Sequence, residues 1–178
     1  MMATMIREDE SIPASYPAAP SGLSAAAAAI DPAIVWQRIE AYTARRYAAR
    51  AVTWVVEGPG EWIAPLAPAT VSATEIWNGA AWEAVTLSSS PLGGYILPGC
   101  GPYRVTASVG AGPVPAAVSE AFRRLAEYFA GAAQSAPAGV RQETVEGVGS
   151  IEYDLAGVAR AMERSGAGDL LRPYRRAA

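Results

Sequence analysis

The sequence contains no histidine and no lysine, and its 14 basic residues are all arginine. Histidine is the one side chain whose ordinary pKa lies near neutral pH. Its absence excludes Ser-His and Cys-His catalytic pairs and metal sites that use histidine ligands. The absence of lysine excludes Schiff-base chemistry and the lysine of a phosphate-binding loop. We therefore expect a protein that is not an enzyme and that has no catalytic residue, cofactor or metal site.

The single cysteine, Cys100, lies in the turn-forming stretch Pro98–Pro102. One cysteine forms no internal disulfide and no cysteine cluster for a metal ion, a pattern that fits a reducing compartment. A reactive thiol needs a cationic or basic neighbour that favours the thiolate, and no histidine exists to provide one. We interpret Cys100 as a turn residue.

Large apolar side chains are scarce. Of 178 residues, 39 are alanine, whereas Leu, Ile, Val and Phe together make 34. This aliphatic content is typical of weakly folded chains, but the net charge of only −3 is not. The composition predicts one compact domain with terminal arms and a thin core that is completed by burial against other subunits.

Long hydrophobic runs are also absent. The first eleven residues carry four charges, from Arg7 to Glu10, so they do not resemble an export signal. The alanine run at 25–29 is too short to cross a bilayer. We expect a soluble protein with no membrane partner.

The ends of the chain and its two apolar helical stripes define the predicted organisation. Residues 1–23 are rich in Pro, Ser and Ala and show no period, which predicts a flexible arm. A first helix is predicted from 24 or 32 to about 47, and a second from Pro115 to Gly131. Their stripes are Val35, Trp36, Ile39 and Tyr42 in the first helix and Val118, Phe122, Leu125 and Phe129 in the second.

Between these helices the pattern changes to short β-type runs over 52–109, which predicts an antiparallel sandwich or barrel-like unit. Asn78-Gly79 supplies the positive-φ chemistry of a hairpin turn, across which Trp77 and Trp82 are expected to pair. The six predicted strands are Val52–Val56, Glu61–Ile63, Val71–Trp77, Trp82–Leu87, Tyr95–Leu97 and Tyr103–Val109.

The carboxy-terminal part, 132–178, is predicted to form a loop, a short extended piece at 150–153, a helix that Asp154 caps, and a basic docking tail. The expected fold class is therefore α+β. It is a helical bundle of two longer helices and a short carboxy-terminal helix, with the antiparallel β-rich insertion between the first two. The expected divisions of the chain are 1–23, 24–131 and 132–178.

Charge is unevenly distributed along the chain. No basic residue lies between Arg50 and Arg104, and the region from 160 onward contains five arginines and two acids. The spacing of the acids singles out no carboxylate pair for glycoside hydrolysis, so a solvated sheet face is the better interpretation. The acids between the two arginines are Glu57, Glu61, Glu75 and Glu83.

Five tryptophans leave a second function open. Most lie in the β-rich unit, where they pack in a core or form an aromatic platform. The platform would make the chain a monomeric β-rich module that binds a carbohydrate or a peptide through exposed tryptophans. We favour packing, because a platform for nucleic acid normally accompanies a basic groove and this stretch is acidic.

Three segments resemble one protein family. They are the helix start Val114–Ala121, the stretch Glu146–Ser150 before Tyr153, and the end Leu170–Arg176. In this order, over residues 30–176, the chain is similar to the head–tail connector (adaptor) proteins of long-tailed bacteriophages and gene transfer agents.

The resemblance implies a structural virion protein that is assembled in the host cytoplasm. It implies a homo-oligomeric ring, usually dodecameric, that joins the portal protein to a stopper or other tail-side neck protein and lets double-stranded DNA pass. The segment that matches the portal-binding end of the family comprises Leu170, Leu171, Arg172, Pro173, Tyr174, Arg175 and Arg176.

The acids suggest a role in such a channel. If Glu57, Glu61, Glu75 and Glu83 lined it, like-charge repulsion would keep the sliding DNA from adhering, whereas basic walls would hold it. These four residues are the candidate channel-lining acids.

Overall fold

The computed structural model describes residues 3–135, 142–145, 149–152 and 160–176. Its ten strands form three antiparallel sheets with the orders β1-β2-β8-β4-β5, β3-β7-β6 and β9-β10. The strands are β1 Thr4–Glu10, β2 Arg50–Glu57, β3 Gly60–Trp62, β4 Ala69–Trp77, β5 Trp82–Ala84, β6 Ser88–Ser89, β7 Tyr95–Leu97, β8 Pro102–Val109, β9 Gln142–Val145 and β10 Gly149–Glu152.

The β-rich core lies between the five-stranded and three-stranded sheets. Alternate residues of β2 and β8 are buried, as expected for strands that show one face to a core. Trp54 of β2 meets Trp62 of β3 edge to face, with ring centroids 5.4 Å apart. The buried strand residues are Val52, Trp54, Val56, Trp62, Leu97, Tyr103, Val105, Ala107 and Val109.

The helices are short, with one exception. They are α1 Ala25–Ala28, α2 Pro32–Thr43, α3 Ala116–Ser135, α4 Ala161–Arg164 and α5 Ala167–Leu171, followed by a 3-10 turn at Arg172–Tyr174. Trp36 of α2 packs on Phe122 of α3 with centroids 5.1 Å apart. The predicted apolar stripes are thus the packed faces of these two helices.

The described chain divides into two compact units, each made of separate segments. The first comprises 3–16 and 44–112, and the second comprises 17–43 and 113–176. The first is the β-rich unit, and the second contains all five helices of the described residues.

The predicted helical bundle with two longer helices is wrong. Among the described residues only α3, with 20 residues, is long, and α2 ends after 12 residues at Thr43. The first predicted helix is two helices in the structure, because α1 ends within the alanine run and α2 begins at Pro32, after Asp31. Ala44, directly after α2, has a φ of 54°, which ends the helix. The fold is mixed, and a five-stranded antiparallel sheet is its largest element.

Other boundaries differ less. Helix α3 continues through Gly131 to Ser135, and β1 lies within the segment for which the sequence predicts an arm. Residues 154–159 of the helix expected after Asp154 lie outside the described residues, as does the stretch Glu146–Val148, whereas the end of that helix corresponds to α4, which stops before Ser165. The three divisions of the chain remain a prediction.

Candidate partner-binding segment and candidate channel acids

The segment Leu170–Arg176 is folded onto the helical unit. Leu171 is 0% exposed and belongs to the core. The Arg176 amide donates to the Thr43 carbonyl at 3.1 Å. The Arg175 guanidinium lies over the Tyr42 ring, 5.4 Å from its centroid, in a cation–π contact. The segment is therefore not an extended tail.

Local sequence explains the turn that positions this segment. Gly166 precedes α5 with a φ of 69°, a left-handed conformation that glycine adopts at little cost. The Ser165 hydroxyl donates to the Ala161 carbonyl at 2.6 Å and accepts the Ala167 amide at 3.2 Å. Ser165 thus forms one hydrogen bond with α4 and another with the first residue of α5.

The segment divides into inward and outward residues. Arg172, Pro173 and Arg175 are exposed, whereas Leu170, Tyr174 and Arg176 are half-buried. The part that a partner can reach in this conformation is cationic. Leu171 would have to leave the core to touch a partner.

Two of the candidate acids are engaged by neighbouring side chains. The Arg104 guanidinium donates to both carboxylate oxygens of Glu75, at 2.6 and 2.7 Å. These hydrogen bonds, together with the charge of Arg104, hold the pKa of Glu75 below its ordinary value despite some desolvation. Glu83 accepts a hydrogen bond from the Asn78 side-chain amide at 2.5 Å.

The predicted Asn78-Gly79 hairpin is confirmed. Trp77 and Trp82 are ladder partners, and Gly79 has a φ of 100°. The Asn78 side-chain oxygen accepts the amides of Ala80 and Ala81, which fixes the turn.

The other two candidate acids lie on different sheets. Glu57 is exposed at the end of β2. Glu61, on β3, is half-buried, and its Oε1 is enclosed without a hydrogen-bond partner among the described residues. In the β4–β5 hairpin Glu75 lies opposite Ala84 and Glu83 lies opposite Ile76, so these two acids are on opposite faces of the sheet. The structure does not assemble the four acids into one row.

The tryptophans do not form an open platform. Trp36, Trp54 and Trp62 are buried, and Trp77 and Trp82 are half-buried. The Arg104 guanidinium lies 4.8 Å from the centroid of Trp82 and covers one face of its ring. A sugar therefore could not stack on that face of Trp82.

Sequence reasoning missed an ion cluster around Glu10. Its carboxylate accepts hydrogen bonds from Arg46 at 2.5 and 2.7 Å and from Arg50 at 3.1 Å. Burial raises the pKa of Glu10, but the hydrogen bonds and charges of the two arginines outweigh it and hold the pKa below its ordinary value. Partners so distant in sequence leave no local signal.

The described residues contain neither a metal-binding cluster nor a helix that could cross a membrane. No group of three Cys, Asp or Glu side chains there is arranged to hold a metal ion. None of the helices in these residues has the length and apolarity that a bilayer crossing requires. Cys100 is exposed in its turn.

The fold is similar to that of chains in gene transfer agent particles. No protein-family model matches the sequence, and no curated protein is similar to it. A chain in the neck of an empty gene transfer agent (GTA) particle, computed with C6 symmetry, has 16% identity and a TM-score of 0.52, over 83% of this chain and 75% of that chain.

Two further structures agree. A chain in the virion of a native GTA particle has 16% identity and a TM-score of 0.51, over 83% of this chain and 75% of the other. A chain in the neck of a native GTA particle with C12 symmetry has 18% identity and a TM-score of 0.50, over 88% and 85%. The resemblance inferred from the sequence is thus confirmed as a shared fold.

Proposed function

We propose that this chain is a structural, non-enzymatic protein of a virion neck, where it forms an adaptor ring between the portal and the tail-side neck proteins. The observation that carries the proposal is the fold shared with neck chains of GTA particles. The scarcity of large apolar residues supports it, since ring neighbours would supply burial that the single chain lacks.

The proposed assembly is a closed ring, expected to contain twelve copies. The similar chains come from necks described with C6 and C12 symmetry, which supports a cyclic arrangement. In a cyclic ring each subunit offers one surface to the preceding copy and a different one to the next. Double-stranded DNA would pass through the centre without sequence-specific contact.

The portal contact is assigned to the outward residues of Leu170–Arg176. Arg172, Pro173 and Arg175 are exposed there, and arginine is a frequent anchor in protein interfaces. Leu171 would act indirectly, because its burial holds α5 in place.

The test is a double variant, Arg172→Ala with Arg175→Ala, in the particle-producing system. We expect a folded protein that no longer joins filled heads to tails, as counted by electron microscopy. Arg124→Ala, which removes an exposed arginine from α3, is the matched control and should join them normally. Normal joining by the double variant would contradict the portal assignment.

We propose that the four acids line the channel but contribute unequally to the repulsion of DNA. Glu57 and Glu83 are exposed, whereas the charge of Glu75 is compensated by Arg104 and Glu61 is half-buried. Repulsion of DNA would therefore come mainly from Glu57 and Glu83. A reconstruction of the assembled neck tests this, and finding both residues on the outer rim would end the proposal.

A further inference from the structure

Strand β1 is held to the sheet without burying a side chain of its own. Its residues from Thr4 to Asp9 are exposed and Glu10 is half-buried, whereas β2 and β8 bury alternate residues. It is an edge strand whose ladder partner is β2. Little hydrophobic stabilisation would be lost if β1 left this position.

The contacts that do hold β1 are polar and specific. The backbone ladder runs from Thr4 opposite Glu57 to Glu10 opposite Val52. The Trp54 indole N–H donates to Glu8 at 2.7 Å, and the Glu10 carboxylate binds Arg46 and Arg50. These contacts define one register for this strand, whichever copy of the chain provides it.

The connection behind β1 is suited to reaching a neighbour. Residues 17–23 lead from the β-rich unit, which includes residues 3–16, to the helical unit. They include Pro17, Pro20 and Gly22, and four of them are exposed. A fully extended stretch of this length spans roughly 25 Å, and proline keeps such a connection from collapsing.

We infer that β1 is exchanged between copies in the ring: the segment 3–16 of one subunit pairs with β2 of the next. This rests on the proposed ring. The exchanged strand makes the same ladder and ion pairs as in the single chain. Extension of 17–23 gives up the 2.9 Å hydrogen bond from the Trp36 indole N–H to the Pro17 carbonyl, and each copy becomes tied to its neighbour. Each subunit donates one strand and accepts another, which closes around a cyclic assembly.

Exchange fits the strand better than addition of a further strand outside β1. The edge strand β1 contains four successive charged residues, Arg7–Glu10, and its register shifts between Met5 and Arg7 at a bulge. Charges and bulges at an edge discourage pairing with an additional strand. Replacement of β1 by an identical β1 avoids this obstacle.

A disulfide across β1 and β2 distinguishes the two arrangements. Asp9 and Thr53 are ladder partners, so Asp9→Cys with Thr53→Cys is introduced in a Cys100→Ser background. The full chain is concentrated and assembled under reducing conditions and is then oxidised. We expect most of the linked protein to run as covalent dimers and higher multiples on a non-reducing denaturing gel.

The matched control uses the other side of β2. Thr53 is also the ladder partner of Thr106 on β8, and a Thr53→Cys with Thr106→Cys pair should link only within one chain. If rings form and the Asp9–Thr53 pair links only within single chains, the exchange is overturned, whereas single-chain links without rings contradict the ring on which the exchange rests. Electron microscopy shows whether rings have formed. Rings in which every disulfide lies within one chain contradict the exchange alone. Disulfides between chains in the absence of rings support the exchange but contradict the ring.

Discussion

Glu10 shows how a single carboxylate secures a strand that buries almost nothing. It contacts Arg46 and Arg50, whose side chains are 13% and 6% exposed. Losing Glu10 would leave two largely buried guanidinium groups without this partner, which is more costly than losing an exposed ion pair.

We expect Glu10→Gln to lower the free energy of unfolding by about 1 kcal/mol at pH 7. Because the folded-state pKa of Glu10 lies below the ordinary value of 4.5, its stabilisation is fully present above that pH and is lost as the pH falls through the folded pKa. Urea denaturation of both proteins at several pH values measures this. A stability difference that stayed constant down to pH 2 would contradict the assignment.

Glu120, on the surface of α3, is a second carboxyl group whose pKa is lowered by neighbouring arginines. Hydrogen bonds from Arg123 and Arg124, together with their charges, lower the pKa of Glu120 to about 2. The stabilisation from these pairs should be present above pH 4.5 and should disappear as the pH approaches about 2. NMR titration of the Glu120 carboxyl measures the pKa directly, and Arg123→Ala with Arg124→Ala should return it toward 4.5.

At the scale of elements, close backbone packing fixes the three-stranded sheet. A Cβ on Gly94 would lie 2.1 Å from the Trp62 carbonyl oxygen, so neither backbone can yield without breaking the β3–β7 region. We expect Gly94→Ala to destabilise the protein by roughly 2 kcal/mol or more. Gly131→Ala is the control, because nothing lies within 4 Å of that Cβ in α3. It should stabilise by about 0.5–1 kcal/mol, as thermal denaturation will show.

Two substitutions in the segment Leu170–Arg176 distinguish its contribution to stability from its proposed role in portal binding. Leu171→Ala should cost about 2–5 kcal/mol, because it removes a fully buried side chain. Arg172→Ala should leave the free energy of unfolding within about 0.5 kcal/mol, because Arg172 is exposed. Denaturation of the two variants checks this. Removing 170–178 altogether would mix the two effects, so point substitutions are the cleaner test of portal binding.

Local chemistry predicted much at this scale. The Asn78-Gly79 turn, the six strand regions and the stripe on α3 follow from residue type and spacing, which act over a few residues. Helix α2 ends early because Ala44 turns away, and alanine carries no signal for a positive φ. The sequence did not predict strand β1, because its side chains show no alternation of apolar and polar residues. The side chains that bind it, Arg46, Arg50 and Trp54, are also far along the chain.

At the scale of the whole molecule, three sequence segments predict the class of the protein, a head–tail connector, and its fold is similar to that of chains in GTA particles. The candidate site was less predictable than the class. Sequence order placed Leu170–Arg176 at one end of the chain, but only packing shows that Leu171 faces inward. Likewise, the spacing of the acids gave no sign that Arg104 would compensate Glu75.

The segments of the two units alternate along the chain: 3–16 and 44–112 belong to the first unit, and 17–43 and 113–176 belong to the second. A single proteolytic cut therefore cannot separate one unit from the other, because a cut after residue 112 leaves the first unit joined to 17–43. Likewise, a gene fragment that encodes a contiguous half carries pieces of both units. Recombination would therefore be expected to transfer the whole chain, because a crossover in its middle would leave both units incomplete.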